Sequence, residues 1–434
     1  MTTTPVDEAQ VRNLVQQSER AWASGRRPEA EDLLRRARTL APEHPLVLNA
    51  SGVQQLHWGN LAEARRLIEQ AIERDARNPA FWINLGSVLR RLNLPEQEMT
   101  ALDRALAIEP RHLLALLQKA SLLEATNQRR AAALVYFNAL QTIPPGSQLP
   151  ESLRAPIQRA RQAVSDNNAA LEEFLRSRLD EVHAQHPGED RSRFQLCEDA
   201  FLGKRRIYTC RPTFLHFPKL PALEFYPRTE FPWLARVEAA SAEIRAEFER
   251  IFSEDSDKLE PYIAYPEGLP LDQWRELNHS RRWSVFYLWR DGKPIQEHLD
   301  RCPKTAELIA SVPTVDIHGV GPTVFFSILD AKSHIPAHTG VTNTRVIVHV
   351  PLVIPPGCRF RVGADTREWR TGEAWVFDDT IEHEAWNDSD APRAVLIFDV
   401  WNPYLSAAER DSVRAMVGGI TEYYGPHSPA KEAH

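Results

Sequence analysis

A step of 34 residues governs the first third of the chain. Ala37, Ala71, Ala105 and Ala139 stand 34 apart, and Pro42, Pro110 and Pro144 each follow one of those alanines by five residues. A period in this range means that one short supersecondary unit is copied along the chain, and a unit that small cannot bury its apolar face alone. Two antiparallel helices per repeat fit the spacing. Small residues then belong where the helices cross closely: Gly52, Gly86 and Ala120 on the first helix, Ala71, Ala105 and Ala139 on the second. Leu48, Trp82, Leu116, Ile68, Leu102 and Tyr136 supply the bulk between helices. The aromatics Trp58, Phe81 and Trp82 are expected to pack rather than to contact a ligand.

This pattern resembles the tetratricopeptide-repeat family, with three to four repeats from roughly Val11 to Ile143 and one departure, Glu98, where the repeat usually has alanine. The resemblance implies a stacked solenoid with a concave groove. Pro144-Pro145-Gly146 closes the repeats, and Ser152 to His186 again has helical spacing, expected as a cap. From about Phe194 aromatics, prolines and β-branched residues take over. Trp283 to Trp289, Thr323 to Leu329, Arg345 to Ile354, Arg359 to Val362, Ala374 to Phe377 and Ala394 to Trp401 read as strands, and Trp233 to Phe252 as a helix. Many short strands with helices outside predict a jelly roll. The expected class is α+β multidomain. An all-α repeat solenoid over 1–150 is followed by a helical cap or linker over 151–193, a β-rich domain over 194–424 and a disordered tail over 425–434.

A length of 434 residues calls for more than one core. The net charge of −7, from 59 acidic and 52 basic residues without a basic stripe, argues against a nucleic-acid partner. Cys197, Cys210, Cys302 and Cys358 are irregularly spaced, as reduced thiols of a cytoplasmic protein would be. Met1 to Arg12 lacks the apolar stretch of a signal peptide. The longest apolar run, Val346 to Ile354, is broken by His349 and Pro351, so no stable membrane anchor is expected.

The chemistry concentrates in the last hundred residues. His338, in His338-Thr339-Gly340, and His383 are 45 residues apart, which suits metal ligands on separate strands and not on one helix. Non-haem iron oxygenases hold Fe(II) through a few such side chains and leave positions open for a 2-oxo acid and dioxygen. Arg393, ten residues past His383, is placed to grip the distal carboxylate of that acid. Strand alternation sets Arg345, Ile347 and His349 on one face, opposite Val346, Val348 and Val350. Arg393 and Asp399 share a face, as do Thr323, Phe325 and Ser327. If these polar faces turn inward, Ser327, Arg345, His349 and Arg393 line a pocket beside the two histidines.

Several blocks in order strongly resemble the aspartyl/asparaginyl β-hydroxylase family over about Lys219 to Tyr404. They are His338 to Arg345, His349-Val-Pro-Leu-Val-Ile-Pro, Phe377-Asp-Asp-Thr-Ile-Glu-His383-Glu-Ala-Trp-Asn, Arg393, and Asp399-Val-Trp-Asn-Pro403. The resemblance implies a double-stranded β-helix that uses Fe(II), 2-oxoglutarate and O2, with His338 and His383 as metal ligands and Gly340 replacing a carboxylate ligand. It assigns 2-oxoglutarate to Ser327, His349 and Arg393. The family often shows Arg-x-His where Ile347 precedes His349; Arg345, on the same strand face, is the candidate substitute. Asp379 is the candidate to hold a water at the third metal position.

The plainer readings are that His334 is the ligand in place of His338, that Arg393 forms a structural ion pair with Asp399, and that Asp379 caps a turn beside Asp378. For function, the expectation is hydroxylation at the β-carbon of an Asp- or Asn-type residue in a peptide, protein or carrier-bound amino acid, with the repeat groove presenting the substrate. The alternatives are a lipid hydroxylase, a halogenase and an inactive scaffold.

Overall fold

The computed structural model describes residues 8–425, apart from 145, 269 and 318. The tail expected to be disordered lies, beyond Gly425, outside these residues. The chain divides into two compact units, Met1–Arg193 and Phe194–His434.

Four helix pairs build the first unit. They are α1 (Glu8–Ala23) with α2 (Arg27–Leu40), α3 (Pro45–Trp58) with α4 (Leu61–Arg74), α5 (Pro79–Arg91) with α6 (Pro95–Ile108), and α7 (Leu113–Ala125) with α8 (Arg129–Leu140). Each pair turns on one residue with positive φ: Gly25 (+74°), Gly59 (+85°), Asn93 (+57°) and Asn127 (+61°). These positions are again 34 apart, and only glycine and asparagine enter this left-handed conformation readily. Gly52 marks a close crossing. A Cβ there would lie 2.5 Å from Ile68 Cγ1 and 3.0 Å from the Ala64 carbonyl oxygen. Glu98, the departure from the repeat, is buried and accepts a hydrogen bond from Arg90 Nε at 2.8 Å. Phe81 packs as expected, whereas Trp58 is half exposed. The long helix α9 (Glu151–Gln185) buries Ile157 and Ala160 against Leu117, Ala120 and Tyr136, closing the end of the stack.

Helix α10 (Ser192–Phe201) leads into the second unit. Its larger sheet contains β1 (Glu260–Pro261), β2 (Trp283–Arg290), β4 (Val324–Leu329), β11 (Arg393–Trp401), β6 (Arg345–Val353) and β9 (Trp375–Phe377) in that order, with β3 (Lys293–Pro294) on β2. The smaller runs β5 (Ser333–His338), β10 (His383–Asn387), β7 (Cys358–Val362), β8 (Asp365–Glu368). Every strand pair is antiparallel.

The predicted parity holds. Val346, Val348 and Val350, with Phe326, Ile328, Leu396 and Phe398, pack on helices α11 (Leu234–Ala239), α12 (Ser241–Glu254), α13 (Gln296–Arg301) and α14 (Pro303–Ala310). The opposite face meets the smaller sheet across Trp283, Leu329, Val395, Ile335, Phe360, Val362 and Ala385. The helix expected over Trp233 to Phe252 is divided at Ala240. A last helix, α15 (Ala407–Tyr424), starts at a capping box of Ser406 and Glu409. No helix among the described residues is long and apolar enough to cross a membrane.

Gly52→Val forces α3 away from α4. Overpacking of this kind costs about 1–3 kcal/mol, so the helical melting transition followed by circular dichroism should fall in temperature. An unchanged transition would remove the close-crossing account.

Candidate active site

His338 ends β5, His383 begins β10, and the two stand directly opposite each other with ring centroids 4.1 Å apart. The Pro336 carbonyl oxygen lies 2.7 Å from His338 Nδ1, and that of Ile381 lies 3.0 Å from His383 Nδ1. A carbonyl only accepts, so each Nδ1 carries the proton and each Nε2 keeps its lone pair. Burial pulls His338 down to about 4. Burial, and then the neighbouring His338, hold His383 well below the ordinary imidazole range. Neutral imidazoles with a free ring nitrogen are the form a divalent metal binds. His334, by contrast, is exposed, stacks on Trp386 and pairs with Glu384.

Gly340 is required by its neighbour. A Cβ at that position would fall 2.1 Å from Asp379 Oδ2 and 2.2 Å from Asp379 Cγ. The Asp379 carboxylate thus fills the space a side chain at 340 would take, and Gly340 N donates to the Asp379 carbonyl at 2.6 Å. The turn is capped by Asp378, whose Oδ1 accepts from Thr380 N and Oγ1 at 2.9 and 2.6 Å. Asp379 Oδ1 is buried without a partner, and burial, opposed by Arg345, pushes this carboxyl up to about 7. Among the described residues no three His, Cys, Asp or Glu side chains form a metal-binding group. Two neutral imidazoles, with the Asp379 carboxyl lining the same cavity, are the donors available to a divalent metal there.

Both histidines line a cavity of about 520 Å³ that also contains Ser327, His349 and Arg393. Arg393 is 1% exposed, its Nε has no partner, and burial pulls its guanidinium down to about 10. The guanidinium lies 4.7 Å from the Trp369 ring centroid, with NH1 3.5 Å from Ser327 Oγ. Trp283 Nε1 donates to that same Oγ at 3.1 Å. His349 Nδ1 is also buried and unpartnered, among Phe360, Trp369 and Phe377. Burial and then Arg393 keep His349 neutral, far below its usual range.

Asp399 is taken by Arg345, at 2.5 Å, and not by Arg393. The ion pair that the plainer reading gave to Arg393 is thus made by Arg345, which lines the same cavity as Ser327, His349 and Arg393. Arg345 is four residues from His349, roughly 13 Å along the strand at ~3.3 Å per residue, and its charge is compensated at the far end of the face. The corner without a compensating carboxylate among the described residues is therefore Ser327, His349 and Arg393, while Arg345, paired with Asp399, still keeps a buried Nε without a partner.

Trp283 and Trp369, which hold Ser327 and Arg393 in place, escape sequence reasoning because an isolated tryptophan reads as core. So does an extended strap before the helices. Arg211 N donates to the Thr380 carbonyl (2.7 Å), Thr213 N to that of Gly340 (3.1 Å), and Phe214 N and Leu215 N to that of Val341 (3.0 Å each). Arg206, Tyr208, Arg211 and Thr213 line the cavity.

An unpaired buried charge destabilises a fold by several kcal/mol, and an apolar replacement of similar shape is often stabilising by about 1–4 kcal/mol. Arg393→Met is thus expected to raise the denaturation midpoint of the ligand-free protein. A fall would mean that Arg393 is compensated in solution.

The sequence model of the family described as Aspartyl/Asparaginyl beta-hydroxylase matches residues 238–403. The human aspartyl/asparaginyl beta-hydroxylase is 33% identical over 186 residues, covering 43% of this chain and 24% of the human protein. The ornithine lipid ester-linked acyl 2-hydroxylase of Rhizobium tropici is 30% identical over 197 residues, covering 45% of this chain and 66% of that protein. Among solved structures, a thermophilic TPR protein of Thermus thermophilus is 19% identical with a TM-score of 0.30, covering 45% of this chain and 97% of that one. Most of the human protein's length lies outside the aligned region.

Proposed function

Residues 238–403 belong to the aspartyl/asparaginyl β-hydroxylase family, and on that premise we propose that the chain is an Fe(II)- and 2-oxoglutarate-dependent dioxygenase. Its two-sheet unit is read as a double-stranded β-helix. The reaction is hydroxylation of an unactivated carbon, in the first instance the β-carbon of an aspartyl or asparaginyl residue. The substrate is a peptide or protein, with the repeat groove available to the rest of it.

One observation carries this reading: two neutral histidines stand side by side in the same cavity as a buried arginine that has no carboxylate partner among the described residues. His338 and His383 would hold the metal through Nε2. Bound iron supplies dioxygen activation, coupled to conversion of 2-oxoglutarate into succinate and carbon dioxide. Arg393 meets the distal carboxylate of 2-oxoglutarate as a charge-assisted pair, with Ser327 Oγ beside it. Trp369, against the guanidinium face, keeps the arginine from collapsing onto another acceptor. His349 offers a second hydrogen bond to the co-substrate, and Phe360 and Phe377 keep water off that corner. Asp379, through its unpartnered Oδ1, would hold a water beside the two histidines.

The alternatives fare less well. A halide beside Gly340 would meet the Asp379 carboxylate, which already fills that space. An inactive scaffold would have no physical reason to keep Arg393 buried and unpaired. A lipid substrate finds support in the bacterial acyl hydroxylase relative, and it is separated from the peptide reading below.

The test is anaerobic titration with Fe(II) and 2-oxoglutarate, following the visible charge-transfer absorption of the chelated 2-oxo acid. Wild type should develop the band, His383→Ala should lose it, and Arg393→Ala should need at least about 30 times more 2-oxoglutarate, since removing one partner of a desolvated charge pair costs about 2 kcal/mol or more. A folded wild type without the band would end this reading.

A further inference from the structure

The charges that line the cavity mostly cancel one another. Arg345 is paired with Asp399, and Glu382 with Arg361 at 2.9 Å. Arg393 is accounted for by the co-substrate. Two cations remain, Arg206 and Arg211, both exposed on the strap at the mouth. Neither guanidinium has a carboxylate or hydrogen-bond partner among the described residues.

The strap is not a loose edge. Its backbone is bonded to the carbonyls of Thr380, Gly340 and Val341, and Leu215 forms a parallel bridge with Thr342. Phe217 N donates to Asn343 Oδ1 at 2.7 Å, and Asn343 Nδ2 donates back to the Phe217 carbonyl at 2.9 Å. Arg206 lies 4.7 Å from the Tyr208 ring centroid, and Arg361 lies 5.4 Å from it. The Arg206 guanidinium is thereby held in place at little further entropic cost on binding. The whole strap precedes residue 238, where the family match begins.

Resting on the hydroxylase reading, we propose that Arg206 and Arg211 are specificity-determining residues that hold an acidic side chain of a peptide substrate at the mouth while the reacting residue lies below. The rim around them is mixed, with Thr209, Thr213 and Gln273 exposed along it and Ile207, 74% exposed, between Arg206 and Tyr208. Such a rim suits a peptide, which brings backbone donors and acceptors for the threonines and glutamine and side chains for Ile207. A net charge of −7 also disfavours approach to an anionic bilayer, so the two arginines form a local attractive spot on an otherwise repelling protein.

The test uses the full chain and a fluorescent asparagine-centred peptide flanked by glutamates, with a glutamine-flanked counterpart, read by anisotropy at low and high salt. Wild type should prefer the acidic peptide roughly five- to tenfold at low salt, less at high salt, as exposed ion pairs do. The double variant Arg206→Gln/Arg211→Gln should lose the preference, and Arg206→Glu/Arg211→Glu should favour a lysine-flanked peptide. No preference in wild type, or one that survives both double variants, overturns the proposal. Arginine-dependent binding of phosphatidylglycerol vesicles in place of the acidic peptide overturns the peptide assignment. Calorimetry with 2-oxoglutarate keeps the two readings apart. A missing heat of binding sinks the hydroxylase reading, whereas normal binding with no charge preference sinks only this inference.

Discussion

The antiparallel pairing of β5 with β10 sets His338 against His383 across two strands of the smaller sheet, and the rest of the site is arranged around that register. A slip of one residue would turn one imidazole to the other face of the sheet and leave its partner alone. The irregularity between His383 and Ala385 sits beside this pair, a common place for a bulge to aim a side chain. Each ring is then fixed by a carbonyl two residues earlier in its own chain, so orientation comes from local backbone and costs no extra side chain. On the larger sheet the same alternation divides β6 between an apolar face toward the helices and a face that carries Arg345, Ile347 and His349.

Much of this is legible in the sequence where period alone decides. The 34-residue step sets the helix pairs, and the valines of β6 announce which side faces helices. The turn residues at 25, 59, 93 and 127 are equally periodic but divide between glycine and asparagine, so identity hides a shared backbone conformation. Strands β5 and β10 escape notice because Ser-His-Ile-Pro-Ala-His and His-Glu-Ala-Trp-Asn lack an apolar alternation. Residues chosen for a site do not look like residues chosen for a sheet. The corner of Ser327, His349 and Arg393 is reached by parity, whereas the pairing of Arg345 depends on which of two arginines reaches Asp399. That is a question of side-chain packing, which spacing does not answer.

Polar groups are buried in two different ways here. Glu98 with Arg90, and Arg345 with Asp399, are ion pairs that replace apolar contacts at little net gain. Arg393, His349, Asp379 and, besides its ion pair, Arg345 each keep a buried atom without a hydrogen-bond partner among the described residues. A fold holds such atoms at the expense of its own stability, which is why their concentration in one cavity separates a site from ordinary core.

The strap has a consequence for how this unit could be moved or inherited. The carbonyls of Gly340, Val341 and Thr380 receive their hydrogen bonds from residues 211–215, which precede the recognisable family segment by more than twenty positions. A gene fusion or truncation joined at residue 238 would carry every histidine and arginine of the cavity's inner wall yet leave those loop carbonyls bare. A module cut where the family model's match begins would therefore deliver the chemistry without its rim, because part of that rim is built by chain upstream of it.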